Sequence, residues 1–352
     1  STHRYTLFPY TTLFRSAIRA GCKHFFGYPI TPQTEVPEYL SKRLPEVGGV
    51  YVQAESEVAA SNMIYGCAAT GVRVFTSTSS PGVSLMSETV SYMAGAETPV
   101  VIINIMRGSP GLGGIHPSQS DYFQATRGIG HGDIKVIVLG PSSVQEAVDL
   151  MIDAFDLADK YRNPVMVIGD GIIGQMMEPV EFKERPPVEL PEKTWAACGA
   201  KGGRPSRHVH SLYLDPAQLE QHNFRLQKKY AEIEANEARH ELYNCEEPYD
   251  ILVVSYGTTA RICKTSIDLL KEEGINVGLV RPITLYPYPY KAVREAMNKA
   301  KSVMVVELSA GQMIEDVKLA MDEKRPLHFY GRIGGMVPSP EEVVEEIKKI
   351  IP

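Results

Sequence analysis

The stretch Val52-Gln-Ala-Glu-Ser-Glu57-Val-Ala-Ala60 joins two kinds of sequence pattern and decides the fold. It leaves a short valine-rich run, Gly49 to Val52, and enters a segment of small residues that ends at Gly71. The run Val72-Arg-Val-Phe-Thr-Ser-Thr follows. This order predicts a strand, a closely packed helix and a second strand, with Glu57 held in the first turn of the helix.

The same alternation extends on both sides of this stretch. Further short β-branched or aromatic runs predict strands at Phe25 to Tyr28, Gly49 to Val52, Val72 to Ser77, Val100 to Ile105, Lys135 to Leu139 and Val165 to Ile168. Apolar strands that alternate with helices are typical of a parallel sheet covered on both faces. The sequence therefore predicts an α/β fold with a doubly wound parallel sheet.

A second, smaller alternating unit follows Asp250. Its predicted strands are Ile251 to Val254, Val277 to Val280, Val303 to Val306 and Leu327 to Tyr330, and its helices begin near Thr258, Tyr288, Gln312 and Ser339. Ser339-Pro-Glu-Glu has the cap, first-turn proline and acidic residues of a helix start. About 100 residues is a common size for an independent domain.

The segment between the two units has a different composition. Prolines and the Gly/Arg-rich stretch Gly199 to Arg207 precede a long polar helix that starts at Asp215-Pro216. The helix has a narrow apolar stripe made of Leu219, Leu226, Tyr230 and Ile233. So narrow a stripe predicts an arm that lies across another surface rather than a domain with its own core.

The start of the chain lacks a foldable period. Residues 1–16 repeat Thr-Leu-Phe, and Pro9 between the repeats is expected to break a helix. We therefore predict a non-native or disordered leader at 1–16, a first domain at 17–178, a linker with a helical arm at 179–247 and a second domain at 248–352. A native tail is the alternative for the leader.

Bulk properties exclude several functional classes. A chain of 352 residues exceeds the size of a single core, and its net charge of -6 argues against a nucleic-acid binder. The longest apolar run, near Val100 to Ile103, is too short to cross a bilayer. Five scattered cysteines without a C-x-x-C pair predict a cytoplasmic protein that holds no iron–sulfur cluster on this chain alone.

Two strand ends carry candidate chemistry. Gly27-Tyr-Pro-Ile-Thr31-Pro32 predicts a rigid turn that presents the Thr31 hydroxyl, although a purely structural turn fits equally well. Arg107 ends a strand and opens the Gly-rich loop Gly108 to His116, where a guanidinium is suited to binding a carboxylate. A surface arginine is the alternative. The loop lacks the G-x-x-x-x-G-K-[ST] pattern, so we interpret it as a substrate loop.

Three other features have structural interpretations. Glu57 by itself is equally consistent with an acid that stabilises the start of a helix. Gly169-Asp170-Gly171 is interpreted as a strand-end turn, because no asparagine follows at the distance that a magnesium–diphosphate motif requires. His131, in Gly128-Ile-Gly-His-Gly-Asp133, precedes a strand rather than a helix and is interpreted as a loop or interface residue.

Several short blocks occur together in a characteristic order. They are Tyr28-Pro-Ile-Thr31-Pro, Glu55-Ser-Glu57, Arg107-Gly-Ser-Pro-Gly, Ser118-Gln-Ser-Asp121-Tyr, Tyr256-Gly-Thr-Thr-Ala-Arg261, Arg281-Pro-Ile-Thr-Leu285-Tyr-Pro, Glu307-Leu-Ser-Ala-Gly-Gln312-Met and Gly331-Arg-Ile-Gly-Gly335-Met-Val-Pro. With them, residues 17–352 resemble the α subunit of a 2-oxoacid:ferredoxin oxidoreductase. The linker and the His131 loop are most similar to the 2-oxoisovalerate (3-methyl-2-oxobutanoate) branch.

The resemblance implies a fold and a set of roles. The first domain corresponds to the pyrimidine-binding half of a thiamin-diphosphate site, and the second is transketolase-C-terminal-like. Glu57 corresponds to the acid at the cofactor's aminopyrimidine, and is preferred to Glu55 for its interval to Gly66. The resemblance further implies cofactor contacts from Tyr28, Pro29 and Ile30, a Thr31 hydroxyl near the reacting carbonyl, and substrate carboxylate binding by Arg107 and Gly108.

The resemblance also implies partners. A β subunit would bring the diphosphate site, Mg²⁺ and an iron–sulfur cluster, with γ and δ subunits and ferredoxin completing the system. The implied reaction is oxidative decarboxylation of a 2-oxo acid to acyl-CoA and CO2. Pyruvate or 2-oxoglutarate remain alternative substrates, and an NAD-linked dehydrogenase component or a non-catalytic assembly subunit are alternative functions. The sequence leaves the 2-oxo acid open.

Overall fold

The protein was analysed as a computed structural model. The structure describes residues 4–7, 9–186, 188–322 and 324–351, so predictions that fall on 1–3, 8, 187, 323 and 352 lie outside it. Within these ranges, no helix combines the length and apolarity needed to traverse a bilayer.

The first half of the chain alternates strands and helices as the sequence predicts. Up to residue 181 the elements are β1 (Arg4–Leu7), α1 (Pro9–Arg19), β2 (His24–Gly27), α2 (Glu35–Glu46), β3 (Val50–Gln53), α3 (Glu57–Ala69), β4 (Val74–Thr78), α4 (Ser80–Gly95), β5 (Val101–Met106), β6 (Ile137–Leu139), α5 (Val144–Tyr161), β7 (Val165–Asp170), α6 (Gly171–Gln175) and β8 (Glu178–Glu181). A π-helical turn, Gln124–Gly128, lies between β5 and β6.

The second half begins with an irregular segment that contains the short 3₁₀ turn Lys201–Gly203. The elements after it are α7 (Pro216–Asn236), β9 (His240–Tyr243), β10 (Ile251–Val254), α8 (Gly257–Glu272), β11 (Val277–Pro282), β12 (Thr284–Tyr286), α9 (Tyr290–Met297), β13 (Ser302–Glu307), α10 (Met313–Ala320), β14 (Leu327–Gly331) and α11 (Pro340–Lys348). Every predicted strand overlaps an observed one.

The two predicted parallel sheets are present. The first has seven strands in the order β12-β6-β7-β5-β4-β2-β3, and the second has five in the order β14-β13-β10-β11-β9. Both are parallel except for one antiparallel edge strand each, β12 and β9. Strand β12 follows β11 of the second sheet in the chain but pairs with β6 of the first, so the chain returns to the first sheet for one strand. The sequence did not predict this return.

The first sheet is buried because its central strands are apolar on both faces. In β5, Ile102 enters one core cluster, whereas Val101 and Ile103 enter the cluster on the opposite face. Side chains that alternate between faces in this way are expected of a strand covered by helices on both sides. Each fully buried aliphatic side chain of this kind contributes about 1.5–3 kcal/mol.

Residues 4–7 and 9–16 of the predicted leader adopt regular structure. Strand β1 pairs antiparallel with β8, and Pro9 is the first residue of α1 rather than a helix breaker. Proline is tolerated in the first helical turn, because no intrahelical partner is needed for its missing N–H. Phe14 of α1 is buried and its ring stacks on Phe75 at 5.7 Å. That the leader is non-native or disordered remains a prediction, as do the proposed domain boundaries.

The long helix α7 lies against the first sheet's helices. Leu226, Tyr230 and Ile233 are buried in the core cluster that α5 also lines. Leu219, predicted on the same stripe, is exposed instead. It lies nearly two turns before Leu226 and outside the core cluster that the other three residues enter. Asp215 caps the helix by accepting a hydrogen bond from the Ala217 N–H at 3.0 Å.

One buried glutamine joins the two sheets. The Gln119 N–H donates to the Leu308 carbonyl at 2.8 Å, and its side-chain oxygen accepts from the Leu308 N–H at 3.0 Å. The same oxygen accepts from the Thr259 hydroxyl, and the Gln119 amide donates to the Tyr256 carbonyl at 2.9 Å. These bonds fix the segment after β5 against the second sheet.

Candidate active site

The carboxyl ends of the parallel strands in the first sheet meet at one edge. Strands β2, β3, β4, β5 and β7 all run in the same direction, so the segments that follow them lie side by side. Open α/β sheets bind ligands at this edge. The predicted residues Thr31, Glu57 and Arg107 all lie at or just beyond it.

Glu57 is the first residue of α3 and is held there by a helix cap. The Ser56 side chain accepts a hydrogen bond from the Ala59 N–H at 3.1 Å, which fixes the first turn. The Glu57 side chain is only 6% exposed, yet it has no hydrogen bond or ion pair with any residue that the structure describes. Its oxygens are not among the fully enclosed polar atoms that lack a partner, so they reach the open edge of the sheet. The carboxylate is therefore accessible to a ligand bound at this edge.

Glu57 lies directly against the first turn of α4. A Cβ atom built on Gly82 would lie 2.8 Å from Glu57 Oε1 and 2.0 Å from Thr78 Oγ1. Neither distance leaves room for a methyl group, so only glycine fits between the acid and the threonine. The Thr78 hydroxyl is itself buried without a hydrogen-bond partner among the described residues.

Other polar groups near this edge are also unsatisfied. Three buried atoms without a partner in the described structure are Gln33 Nε2, Thr76 Oγ1 and Ser79 Oγ. The oxygen of the same Gln33 amide does have a partner, because Oε1 accepts a hydrogen bond from the Ser77 hydroxyl at 2.8 Å. Unpaired buried polar atoms are rare in folded proteins and each calls for an explanation. With Thr78 counted, three of these four residues, Thr76, Thr78 and Ser79, belong to the segment that ends β4, and Gln33 contacts the same segment through Ser77, which is consistent with a polar ligand site at this end of the strand.

The structure brings Thr31 and Arg107 into direct contact. Arg107 donates from Nη1 to the Thr31 carbonyl at 2.9 Å and from Nη2 to the Leu112 carbonyl at 3.2 Å. Its guanidinium is nearly buried, and Nε has no partner among the described residues. Arg107 thus holds both the turn after β2 and the loop after β5, and it keeps one unpaired donor.

A buried network connects Arg107 with the helix that supports Glu57. The Ser80 hydroxyl accepts from the Arg107 N–H at 3.0 Å and donates to Asp121 at 2.5 Å. Asn104 donates to the same carboxylate oxygen at 3.1 Å. Burial raises the pKa of Asp121. Glu57 and Arg107 are therefore joined through the first turn of α4 and do not touch each other.

The remaining predicted residues line the same edge less closely. Tyr28 is exposed, whereas Pro29 and Ile30 are half-buried in the turn after β2. Gly108 lies against the second sheet's last loop, where an added Cβ would be 3.3 Å from the Gly334 carbonyl carbon. No described hydrogen bond joins these four residues to Glu57.

The two structural interpretations agree with the geometry. Asp170 caps α6 by accepting from the Ile172 N–H at 2.9 Å, and the Thr258 hydroxyl donates to its other oxygen. Burial raises the pKa of this carboxyl. His131 is an exposed loop residue whose backbone bonds to Ser91. In the described part of the chain, no three His, Cys, Asp or Glu side chains come together as a metal site.

Sequence reasoning missed Gln33, Thr78, Ser80 and Gly82. Its interpretation assigned no role to Asp121, although that residue lay in a recognised block. A signal was present in Thr76-Ser-Thr-Ser-Ser80, where five consecutive hydroxyl residues cover the end of β4 and the start of α4. Such a run is unusual in a buried strand and marks a polar surface.

Family models match most of the chain. Residues 15–245 match the model described as pyruvate flavodoxin/ferredoxin oxidoreductase, thiamine diphosphate-binding. Residues 249–343 match the model described as pyruvate:ferredoxin oxidoreductase core domain II.

Curated relatives extend over nearly the whole sequence. The ketoisovalerate oxidoreductase subunit VorB of Methanothermobacter marburgensis is 46% identical, and the match covers 97% of this chain and 96% of that protein. The 2-oxoglutarate synthase subunit KorA of Methanothermobacter thermautotrophicus is 38% identical over 96% of each chain.

Solved structures support the predicted fold. A 2-oxoglutarate:ferredoxin oxidoreductase from Magnetococcus marinus, with 2-oxoglutarate, coenzyme A and succinyl-CoA bound, superposes with a TM-score of 0.85 at 28% identity. The match covers 98% of this chain but only 65% of that one. A split-gene transketolase shares the fold alone, with a TM-score of 0.58 at 12% identity over 98% of both chains.

Proposed function

Because the chain belongs to the pyruvate flavodoxin/ferredoxin oxidoreductase family, we propose that it is the α subunit of a ferredoxin-dependent 2-oxoisovalerate oxidoreductase. The family assignment confirms the resemblance predicted from the sequence blocks. The branched-chain substrate is supported by the higher identity to the ketoisovalerate subunit, 46%, than to the 2-oxoglutarate subunit, 38%. Both relatives align over nearly their full length, so the difference does not arise from a missing domain.

The observation that carries a catalytic role is the buried, partnerless carboxylate of Glu57. A ligand with a ring nitrogen beside an amino group would supply the hydrogen-bond partner that Glu57 lacks, and the Thr78 hydroxyl lies next to it. The aminopyrimidine of thiamin diphosphate has this chemistry, so the residues present fit the cofactor. When bound, thiamin diphosphate supplies a carbon nucleophile for the 2-oxo group and an acceptor for the electrons left by decarboxylation.

The chain's own residues would then have distinct tasks. Glu57 shares a proton with the ring nitrogen and thereby sets the tautomer of the ring. Arg107 offers its unpaired Nε–H to the substrate carboxylate, with Gly108 beside it, and Thr31 offers a hydroxyl to the reacting carbonyl. The carboxylate that Arg107 orients leaves as neutral CO2. An interaction that is equally strong in the ground state and in the transition state does not accelerate the step, so the task of Arg107 is to position the substrate. Tyr28, Pro29 and Ile30 form a wall toward the cofactor.

The remaining cofactors are assigned to partners. A β subunit would hold the diphosphate, Mg²⁺ and an iron–sulfur cluster, and γ and δ subunits and ferredoxin would complete the electron path. In support, the five cysteines are scattered along the chain, two in helices and three in loops, and all are free thiols. Coenzyme A as the acyl acceptor is supported by the solved relative, which is described with coenzyme A and succinyl-CoA bound. Free thiols also favour the cytoplasm as the compartment.

A substrate panel on the assembled enzyme tests this proposal. The chain would be co-expressed with the subunits encoded beside it, and coenzyme A-dependent reduction of a viologen would be followed with 2-oxoisovalerate, pyruvate and 2-oxoglutarate. We expect kcat/KM for 2-oxoisovalerate to exceed the others by about tenfold or more, because each methylene in an apolar pocket is worth about 1–3 kcal/mol.

Other outcomes identify the alternatives. A preference for 2-oxoglutarate or pyruvate would overturn the substrate assignment but keep the enzyme class. Reduction of NAD in place of viologen or ferredoxin would overturn the class. Full turnover by an assembly that carries Glu57→Gln would indicate a non-catalytic assembly subunit.

A further inference from the structure

A second cavity lies at the opposite edge of the first sheet from Glu57. It is formed where α4 and α5 end, before β5 and β7 begin, and the linker and α7 cover it. Its volume is about 420 Å³. We call it the amino-edge pocket and define it by the lining residues Glu97, Arg162, Trp195, Arg207, His222 and Arg225.

The pocket carries more positive than negative charge. Three arginines line it, and Glu97 is the one acid among the described lining residues. Both oxygens of Glu97 are already engaged, one by Arg225 at 2.9 Å and the other by Lys229 at 3.4 Å. Glu97 also attracts Arg162, so one carboxylate faces three cations, and Arg207 has no acid paired with it among the described residues.

Two guanidinium groups keep most of their donors free. Arg207 donates only from Nε, to the Thr194 carbonyl at 3.0 Å. Arg162 donates from Nε to the Glu97 carbonyl, and its guanidinium lies 4.5 Å from the centre of the Trp195 ring. In the described structure, the Nη groups of both arginines have no hydrogen-bond partner.

The third arginine is held in place by a neutral histidine. His222 Nε2 contacts the Gly95 carbonyl at 2.7 Å, and Nδ1 contacts Arg225 Nη2 at 2.6 Å. A carbonyl can only accept and a guanidinium can only donate, so Nε2 carries the proton and Nδ1 accepts. Burial lowers the pKa of His222, which favours this neutral form. Arg225 is thus oriented before any ligand arrives.

The sequence around the pocket adds to its excess of positive charge. Residues 193–214, which form one wall, contain four lysines or arginines and no acid, although the whole chain has a net charge of -6. On the other side, Lys229 is nearly buried, and burial lowers its pKa to about 8 despite the neighbouring Glu97. Cations gathered in this way repel one another unless an anion joins them.

We propose that the amino-edge pocket is a binding site for a phosphorylated small molecule, with the phosphoryl group held by Arg162, Arg207 and Arg225. Guanidinium groups bind phosphate oxygens in pairs of parallel hydrogen bonds, and several free N–H groups converge here. The cavity falls within the range of about 300–1,000 Å³ that small-molecule sites occupy, so it has room for more than one phosphate. The site is separate from the carboxyl edge and adds a second ligand to the proposed enzyme.

The single tryptophan of the chain is a built-in reporter for this site. Trp195 is the only tryptophan in the sequence and lies in the pocket wall under Arg162. The full chain would be titrated with inorganic phosphate, pyrophosphate, adenosine 5′-monophosphate and adenosine, with sodium chloride at matched ionic strength. We expect a saturable change in tryptophan emission with the three phosphorylated compounds and none with adenosine or chloride.

Variants assign the response to the arginines. Arg207→Gln should weaken the affinity for pyrophosphate about tenfold or more, because it removes one bidentate contact between a guanidinium and a phosphate group. A tenfold loss of affinity corresponds to about 1.4 kcal/mol. Arg207 is exposed and makes one hydrogen bond, so its replacement should not affect folding. Arg185→Gln is the matched control, because Arg185 lies outside the pocket and is paired with Asp149 and Asp153.

Thermal unfolding provides a second measurement that does not depend on fluorescence. At the same pyrophosphate concentration, the melting temperature of the wild type and of Arg185→Gln should rise by more than that of Arg207→Gln. An equal effect of chloride, or equal affinity in Arg207→Gln, would overturn the proposal. A change in Trp195 emission only on addition of the partner subunits would also overturn it and assign the surface to protein contact.

Discussion

Two buried glutamates near the carboxyl ends of parallel strands have opposite surroundings. Glu307 ends β13 in the second sheet and accepts four hydrogen bonds, from the Ser309 hydroxyl and from the N–H groups of Gln312, Met313 and Ile314. Glu57 follows β3 in the first sheet and accepts none from the described residues. Both are at most 6% exposed.

The contrast separates a structural acid from a functional one. Glu307 caps α10, so its charge is spread over the unpaired N–H groups of a helix start, even though burial raises its pKa. Glu57 begins a helix that Ser56 already caps, and its carboxylate points away from that helix toward Gly82. The fold satisfies one acid and leaves the other for a ligand. Burial alone does not distinguish them; their hydrogen-bond partners do.

The largest effect is expected from Glu57→Gln. The amide cannot share a proton with a ring nitrogen as the acid does, so turnover of the assembled enzyme should fall by about 10²–10⁴-fold. The free energy of unfolding should be unchanged or higher, because no described hydrogen bond is lost and a buried charge is removed. Viologen reduction and urea unfolding measure the two quantities. Retained turnover would remove Glu57 from the site.

Glu307→Gln should show the reverse pattern. Either orientation of the amide turns its NH2 group toward N–H or O–H donors, so the free energy of unfolding should fall by about 1–3 kcal/mol. The turnover of the folded fraction should remain near that of the wild type. Glu315→Gln is the control, since this exposed acid pairs only with Lys318 and should change stability by less than about 0.5 kcal/mol. Equal stability of the two variants would contradict the assigned capping role.

Gly82→Ala tests whether the position of the Glu57 carboxylate depends on its close packing against Gly82. The added methyl group would meet Glu57 Oε1 and Thr78 Oγ1, so the acid must move away from its position. We expect thiamin diphosphate to bind about tenfold or more weakly, a loss of about 1.4 kcal/mol. Equilibrium dialysis of the assembled complex against the cofactor measures this directly.

Gly66→Ala is the matched control for this experiment. Gly66 lies in α3, the helix that Glu57 begins, and an added Cβ meets nothing within 4 Å. The substitution should leave cofactor affinity unchanged and stabilise the helix by up to about 1 kcal/mol. If both variants bound the cofactor like the wild type, the contact between Gly82 and Glu57 would have no role in the site.

The smallest effect concerns a third glutamate, Glu97, which is paired with cations. Lys229 beside it has its pKa lowered to about 8 by burial, whereas the unfolded chain titrates lysine near its ordinary value of 10.5. Between these values the unfolded state binds more protons, so stability rises with pH. Across this range, the free energy of unfolding of the wild type should rise by about 1–2 kcal/mol more than that of Lys229→Met. Urea unfolding at pH 8, 9 and 10 measures it.

Lys228→Met provides the comparison at the next residue, which is exposed. This variant makes the same chemical change on the surface of the same helix, so it should not reproduce the pH-dependent difference seen with Lys229→Met. A parallel pH dependence of all three proteins would show that other groups cause the change.

Local patterns were sufficient to predict the parallel strands of both sheets. The strands around residues 251 and 165 appear at their predicted starts, because β-branched runs between turns have few alternatives in a buried sheet. The Ser339 cap formed as predicted, since all of its bonds lie within four residues. The antiparallel strand β12 was not predicted, because its partner β6 is more than a hundred residues away in the chain.

The N-terminal segment contains a local pattern that the sequence analysis did not use. Leu13, Phe14, Ala17 and Ile18 recur at helical spacing, but Pro9 was interpreted as a break, and in the structure Phe14 of α1 packs on Phe75 of the sheet. Most helical stability in proteins comes from such packing rather than from intrinsic propensity. A prediction that reads only neighbours along the chain cannot include it.

The sequence by itself determined which residue types stand at the strand ends, and so it pointed to Thr31, Glu57 and Arg107 and to the family. Only the tertiary structure decided which of these touch: Arg107 bonds to the Thr31 backbone, whereas Glu57 lies against Gly82. The physical reason is that a hydrogen bond or a close contact depends on distances of a few tenths of an ångström between segments far apart in the chain. Those distances are set by how helices pack on the sheet, which no local pattern specifies.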